Sequence, residues 1–310
     1  LKSERMALWF SSAMALLMGS VGITFAVLTD SRAILLDGLF NLTYFVVALA
    51  TIRVAALTAR PGSAEFPFGY SYFESLMNAG KGLLILGVSA LALLDSLMAL
   101  ATGGREIVAG LAIGYAAFAT VVCSLAALWL RRAHRHQSTP LVRADYENWL
   151  VNTLISASVL VAFCLIPIVR GMGWEHLTPY VDPVVVTAVV LISAGIPIRM
   201  AWRAIMELLD RSPPWQVTAP VHEAVRHTLA QHLPVENVYV RIVQPGRTMF
   251  VTIHVVLPAD YPVGTLGTLD AVREAVDMRL KAIHPWSITD VMFTSEERWA
   301  QPASSVEEIV

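Results

Sequence analysis

The stretch Leu35–Tyr44, LLDGLFNLTY, decides how the rest of the chain is read, because an otherwise apolar run carries Asp37 and, four residues on, Asn41. Residues four apart stack on one face of a helix, so the two make a polar spot on a greasy rod. A second stretch, Val142–Thr153, VRADYENWLVNT, repeats the device with Asn148 and Asn152. A carboxylate at the centre of a membrane helix costs roughly 2.5–3.5 kcal/mol on insertion scales, so its default reading is a functional group facing a pathway. The two spots are expected to be halves of one cation site.

Outward from these stretches, the composition is membranous. Of 310 residues, 56% are apolar and only 15% charged, which departs from the soluble average. Apolar runs fill the first two-thirds, whereas residues after about Asp210 read as an ordinary soluble sequence. The net charge of −2 and the lack of a Lys/Arg-rich block or aromatic-basic interleaving give no case for nucleic acid, and no nucleic-acid partner is expected. Cys123 and Cys164 lie inside apolar runs without C-x-x-C spacing and read as small core residues. Met6–Thr29 is uncharged for longer than a signal peptide's apolar region, and Leu1 in place of Met implies that residues precede it.

Six spans can be drawn with the ~20-residue rule, at about 6–29, 32–57, 74–100, 107–130, 143–169 and 181–205, the last kinked at Pro197. Lys2, Arg5, Arg53, Arg60, the basic run Arg131–Arg143, Arg199, Arg203 and Arg211 fall on one side, against Arg32, Arg105 and Arg170 on the other. The positive-inside rule then puts both termini in the cytoplasm. At ~1.5 Å per residue, Asn41 and Asn152 each lie roughly 16 Å into their helices from opposite sides, near Asp30 and Leu141, so the two polar spots share a depth. Trp9, Trp129 and Trp149 read as interface anchors.

After LLDRSPP (Leu208–Pro214), helical spacing at Val221, Val225 and Leu229 gives way to alternation at Val238, Val240 and Ile242, then at Val251, Ile253 and Val255, with Pro245-Gly246 turning between. Leu266–Ile283 returns to helical spacing and Ser287–Thr294 reads as a last strand. The expected fold is an all-α six-helix transmembrane domain over 1–210, a small α+β domain over 211–296 in the order helix, strand, strand, helix, strand, and a loose tail over 297–310.

Oxygen ligands from Asp and Asn suit hard cations, whereas zinc sites usually include His or Cys. One carboxylate and three amides give the site a formal charge of −1, so a dehydrated dication would keep waters or recruit another acid, with Asp145 and Glu74 as candidates. Two blander readings compete. The Asn148/Asn152 pair could be interhelical glue, and Lys81 could pair with Asp37 and lock the bundle as a non-transporting scaffold. No nucleophile–base set, phosphate loop or H-E-x-x-H points to an enzyme.

The motifs LLDGLFN, FPFGYSYFE (Phe66–Glu74), VRAD (Val142–Asp145), VDP (Val181–Pro183) and LLDRSPP, in this order, resemble the cation diffusion facilitators over nearly the whole chain. That resemblance implies a homodimeric metal/proton antiporter with six spans and a ferredoxin-like cytoplasmic domain, in a bacterial-type inner or plasma membrane. It places the family's transport ligands at Asp37, Asn41, Asn148 and Asn152. Three of these are Asn, no histidine stands in the quartet, and Phe66 and Tyr70 occupy the loop where relatives often place ligands. In the cytoplasmic domain only His254 and Glu296 match metal-binding places, and a lone His on an alternating strand is more often structural. The expectation is proton-coupled export of Mn2+ or Mg2+ ahead of Fe2+, with zinc disfavoured and no bound cofactor. Asp37 serves as charged ligand and proton acceptor in that scheme. A monovalent cation/proton exchanger is the alternative on the same fold.

Overall fold

The computed structural model of the chain describes residues 2–29, 32–104, 111–136, 139–262 and 264–301. Asp30, Arg105 and the last residues of the expected tail lie outside them. The chain divides into two compact units, Leu1–Ile205 and Met206–Val310.

The first unit is helical: α1 (Lys2–Thr29), α2 (Arg32–Leu57), α3 (Ser71–Ala101), α4 (Leu111–His136), α5 (Pro140–Gly171), α6 (Thr178–Ser193) and α7 (Gly195–Leu208). Its burial pattern inverts that of a water-soluble protein. Leu91, Val121, Leu128 and Ile192 stand exposed, while Ser11, Asn41, Thr51, Lys81 and Asn148 are buried. Hydrocarbon, not water, is the solvent that favours this arrangement. Among the described residues, five stretches are long and apolar enough to cross a membrane: Glu4–Leu28, Asp37–Leu57, Ser71–Ala101, Ile113–Arg135 and Glu175–Leu208.

The last of these stretches carries one irregular position near the expected kink. Ala194, three residues before Pro197, separates α6 from α7, yet it keeps helical dihedrals and both of its main-chain bonds, to Val190 at 2.8 Å and from Ile198 at 3.2 Å. Proline has no amide hydrogen and its ring crowds the carbonyl four residues back, so the disruption falls on Ser193 rather than on the proline itself.

Without a hydrophobic drive between helices in lipid, close backbone approach has to come from small residues. The α1/α2 crossing shows this. A Cβ added to Gly22 would lie 2.8 Å from the Gly38 Cα, and one on Gly38 would lie 2.8 Å from the Ile23 nitrogen. On α3, a Cβ at Gly82 would meet the Ala201 backbone nitrogen of α7 at 2.7 Å. Two apolar clusters result. One joins α1, α2, α4 and α5 through Leu8, Tyr44, Cys123, Leu130 and Trp149, and the other joins α3, α5 and α7 through Ile85, Ala144, Val151 and Met200.

Two expectations fail here. Trp149 is no interface anchor, because it is fully buried in the first cluster and its indole N–H donates to Ser11 Oγ at 2.9 Å. An indole buried with its polar end satisfied is a core residue. Cys123 is buried as expected, but Cys164 is exposed.

The second unit contains α8 (Trp215–His232), β1 (Asn237–Val243), β2 (Met249–Val256), α9 (Leu266–Ile283) and β3 (Ser287–Thr294). The sheet order is β1-β2-β3, antiparallel across the first pair and parallel across the second. The hairpin turn holds Gly246 at φ 59°, a conformation glycine adopts without steric cost, and α9 supplies the crossover that a parallel pair requires. Val251, Ile253 and Val255 of β2 are fully buried and belong to one core with Val225, Leu229, Val276 and Leu280 of the helices. Residues just past β3 do not trail away. Glu297 accepts hydrogen bonds from Tyr239 and Asn237, and Arg241 donates to the Ala300 carbonyl at 2.8 Å, which ties this stretch to β1.

Candidate functional site

The α2 half of the site is assembled by helix geometry alone. Asn41 Nδ2 donates to the Asp37 main-chain carbonyl at 2.9 Å and to Asp37 Oδ1 at 3.3 Å. The other carboxylate oxygen accepts a hydrogen bond from the Tyr115 hydroxyl of α4. Asn41 is buried and Asp37 is only partly exposed. The carboxylate is therefore held from two sides in a fixed orientation.

The α5 half is different. Asn148 is fully buried, and neither its amide nitrogen nor its amide oxygen has a hydrogen-bond partner; Asn152 Nδ2 is likewise buried and unpartnered. Leaving such a group unsatisfied costs about 1–3 kcal/mol.

Among the described residues no hydrogen bond joins Asp37 or Asn41 to Asn148 or Asn152. The two helices are joined one turn away, where the Tyr44 hydroxyl of α2 donates to Asp145 Oδ1 of α5 at 2.9 Å. Tyr44 lies three residues after Asn41 and Asp145 three before Asn148, so this bond sits on the faces that carry the two polar pairs.

Lys81 does not pair with Asp37. Its ammonium forms an ion pair with Asp145, which removes the expected locking contact at Asp37 and also the expectation that Asp145 stands ready as an extra acid. Glu74, the other candidate acid, is fully buried on α3. Sequence reasoning missed Tyr115 and Tyr44. Tyr44 shares the α2 face of Asp37 and Asn41, and Tyr115 is the single tyrosine of α4.

In the second unit, His254 is buried on β2, in register with Tyr239 and Met292, with its Nδ1 unpartnered. Glu296 pairs with Arg298 instead. Among the described residues no group of three or more His, Cys, Asp or Glu side chains is gathered to hold a metal.

Burial, with Arg241 beside it, holds the His254 imidazole below its ordinary range, and burial does the same at His284 and His222. The unfolded chain then binds the extra protons first as pH falls below about 6.5, so these groups favour folding above that pH and the contribution is lost on acidification. Going from about pH 7.5 to about pH 5.5 is expected to lower the urea midpoint of this unit, read by protease resistance of the segment after Met206. His254→Gln should flatten the trend. A midpoint that stays constant would contradict the assignment of neutral, buried histidines.

The sequence profile described as the cation efflux transmembrane domain matches residues 8–209. The chain is 27% identical over 284 residues to an uncharacterised transporter of Synechocystis, covering 87% of this chain and 83% of that protein. It is 21% identical over 192 residues to the manganese efflux system protein of Bacillus subtilis, covering 61% of this chain and 63% of that one. An integral membrane unit with a polar interior and a profile match across its helices establishes that the chain belongs to the cation efflux family of transporters.

Proposed function

We propose that the chain exports a hard divalent cation, Mn2+ or Mg2+ ahead of Fe2+, in exchange for protons. Asp37, Asn41, Asn148 and Asn152 are its ligands, and alternating access moves the site between the two faces of the membrane. The observation that carries this reading is the set of unpartnered, buried amide atoms at Asn148 and Asn152. A cation bound by the amide oxygens, with its remaining waters on the nitrogens, would satisfy groups that the protein leaves unsatisfied.

Asp37 is the quartet's one titratable member, so proton and cation compete for a single carboxylate. That competition is the simplest form of coupling. The manganese efflux relative from Bacillus supports a hard ion, as does a ligand set without nitrogen or sulfur donors.

In this reading α5, 32 residues long and so about 48 Å from end to end, also crosses the membrane and brings the count of spans to six. Both termini are cytoplasmic, in a bacterial-type inner membrane. The second unit is a cytoplasmic ferredoxin-like domain through which two copies associate.

A second reading, exchange of a monovalent cation for protons, is favoured by the charge of the site. Because Lys81 offsets Asp145, the carboxylate of Asp37 leaves one net negative charge. A thermal-shift series on the purified protein with Mn2+, Mg2+, Fe2+, Zn2+, Na+ and K+, repeated on Asp37→Ala, tests both. A ligand that prefers the native state raises its melting temperature, by an amount equivalent to about 2.7 kcal/mol at a hundred times its Kd. Mn2+ should stabilise the wild type and leave Asp37→Ala unmoved. Stabilisation by Na+ or K+ alone would select the second reading, and no response to any ion would remove both.

A further inference from the structure

The first unit contains an ion pair with both partners withdrawn from solvent. Lys81 of α3 meets Asp145 Oδ1 of α5, with side chains 0% and 1% exposed, and the same oxygen accepts the Tyr44 hydroxyl of α2 at 2.9 Å. Such pairs are poor stabilisers, since the loss of hydration offsets most of the attraction. Nor is it the sole tie between α3 and α5, because Ile85 of α3 also packs in one cluster with Ala144 and Val151 of α5 and Met200 of α7.

What surrounds the pair is more informative. Asp145 Oδ2, Asn148 Oδ1 and Asn78 Oδ1 are all buried without a hydrogen-bond partner, and each belongs to the pair or lies three residues from one of its members. Oxygen atoms of this kind are what a hard cation seeks. A positive charge is already among them, tethered to α3.

We propose that Lys81 is a built-in counter-cation that neutralises Asp145 and keeps it out of the transported ion's ligand set, so that the ion meets one free acid, Asp37. This rests on the transport reading above and deepens it by assigning a residue that sets affinity and valence preference. Lys81 acts through Asp145 and is a positioning residue for the site. With the ammonium in place, a divalent ion is held by one carboxylate and neutral oxygens and leaves readily. Without it, Asp145 becomes a second acid at the end of the Asn148 face and divalent binding tightens.

The test measures Mn2+ affinity by calorimetry, and melting temperature without ion, on the detergent-purified full chain and on K81M, D145N, K81M/D145N and D37N. The expected result for K81M is Mn2+ affinity roughly tenfold or more above wild type, together with a lower ion-free melting temperature. A purely structural tie would lower both. D145N, which leaves the ammonium uncompensated beside the site, should bind Mn2+ more weakly than wild type, and K81M/D145N should return to wild-type affinity. Wild-type or weaker affinity in K81M overturns the proposal. Should K81M fail to fold, D145N and the double variant decide, because equal affinity across wild type and both of these overturns it as well. D37N separates the two levels of inference. If wild type and D37N are equally silent to Mn2+ while K81M gains binding, the transport reading of the quartet fails and the role of Lys81 stands.

Discussion

Replacing Asp37 with Asn should abolish cation flux by reconstituted protein while leaving the helical unit folded. The substitution keeps shape and removes charge. Asn41 retains its bond to the residue 37 main-chain carbonyl, which is the shorter of its two contacts at 2.9 Å, and the Tyr115 hydroxyl can still donate to an amide oxygen. The ion loses the carboxylate, and with it the group for which a proton would compete. Truncating one member of a buried charge pair costs about 2–5 kcal/mol, so affinity should fall roughly thirty- to several-thousand-fold. The measurement is Mn2+ flux into proteoliposomes under an imposed proton gradient, with circular dichroism and melting as controls for folding. Flux at the wild-type rate in a folded Asp37→Asn protein would sink the proposed mechanism.

Gly38→Val is expected to be the most damaging single change to the architecture around the site. A Cβ at this position would stand 2.8 Å from the Ile23 nitrogen, 3.0 Å from the Gly22 carbonyl carbon and 3.2 Å from the Gly19 oxygen, all of them backbone atoms. Backbone of a packed helix cannot swing aside as a side-chain tip can, so α1 and α2 must separate or α2 must rotate. Overpacking of this kind costs about 1–3 kcal/mol or more. The neighbouring Asp37 would be carried away from Tyr115 by the same movement, so Mn2+-dependent stabilisation should vanish along with several degrees of melting temperature. Gly87→Ala is the matched control, because nothing lies within 4 Å of a Cβ there. Equal behaviour of the two variants would show that the α1/α2 crossing is less close than described.

The sequence makes the intramembrane polar residues conspicuous for a physical reason. Asp37, Asn41, Asn148 and Asn152 are costly in lipid, and costly residues stand out in an apolar run. The strands are legible on equally simple grounds, since Val251, Ile253 and Val255 alternate. Partner choice is not legible in this way. Lys81 faced Asp37 on α2 and Asp145 on α5 among the acids of the helical unit, and selecting Asp145 over Asp37 depends on the rotation of α3 about its axis, to which local composition is blind. Trp149 misleads similarly. An indole a few residues from a helix end suits a lipid headgroup region, but α5 begins at Pro140 and places it about two and a half turns in, where a serine from a distant helix takes its N–H. Tyr115 escapes notice because a phenol costs little in a membrane helix until its hydroxyl is matched with a carboxylate across the bundle. Pro197 announces a disturbance in the last helix, but the disturbance lands four residues earlier, on the carbonyl the proline cannot serve.

That carbonyl has a mechanical consequence. In an unbroken helix, flexing stretches or severs a main-chain bond at the convex side. At Ser193 the bond is missing from the outset, and the serine's own hydroxyl turns back to Val190 at 3.3 Å instead of bracing the gap. Tilting α6 against α7 therefore severs one main-chain bond fewer at this level than above or below it. The backbone stays bonded on either side, through Ala194 to Val190 and Ile198 to Ala194, so any bend of this span concentrates at the level of the absent rung.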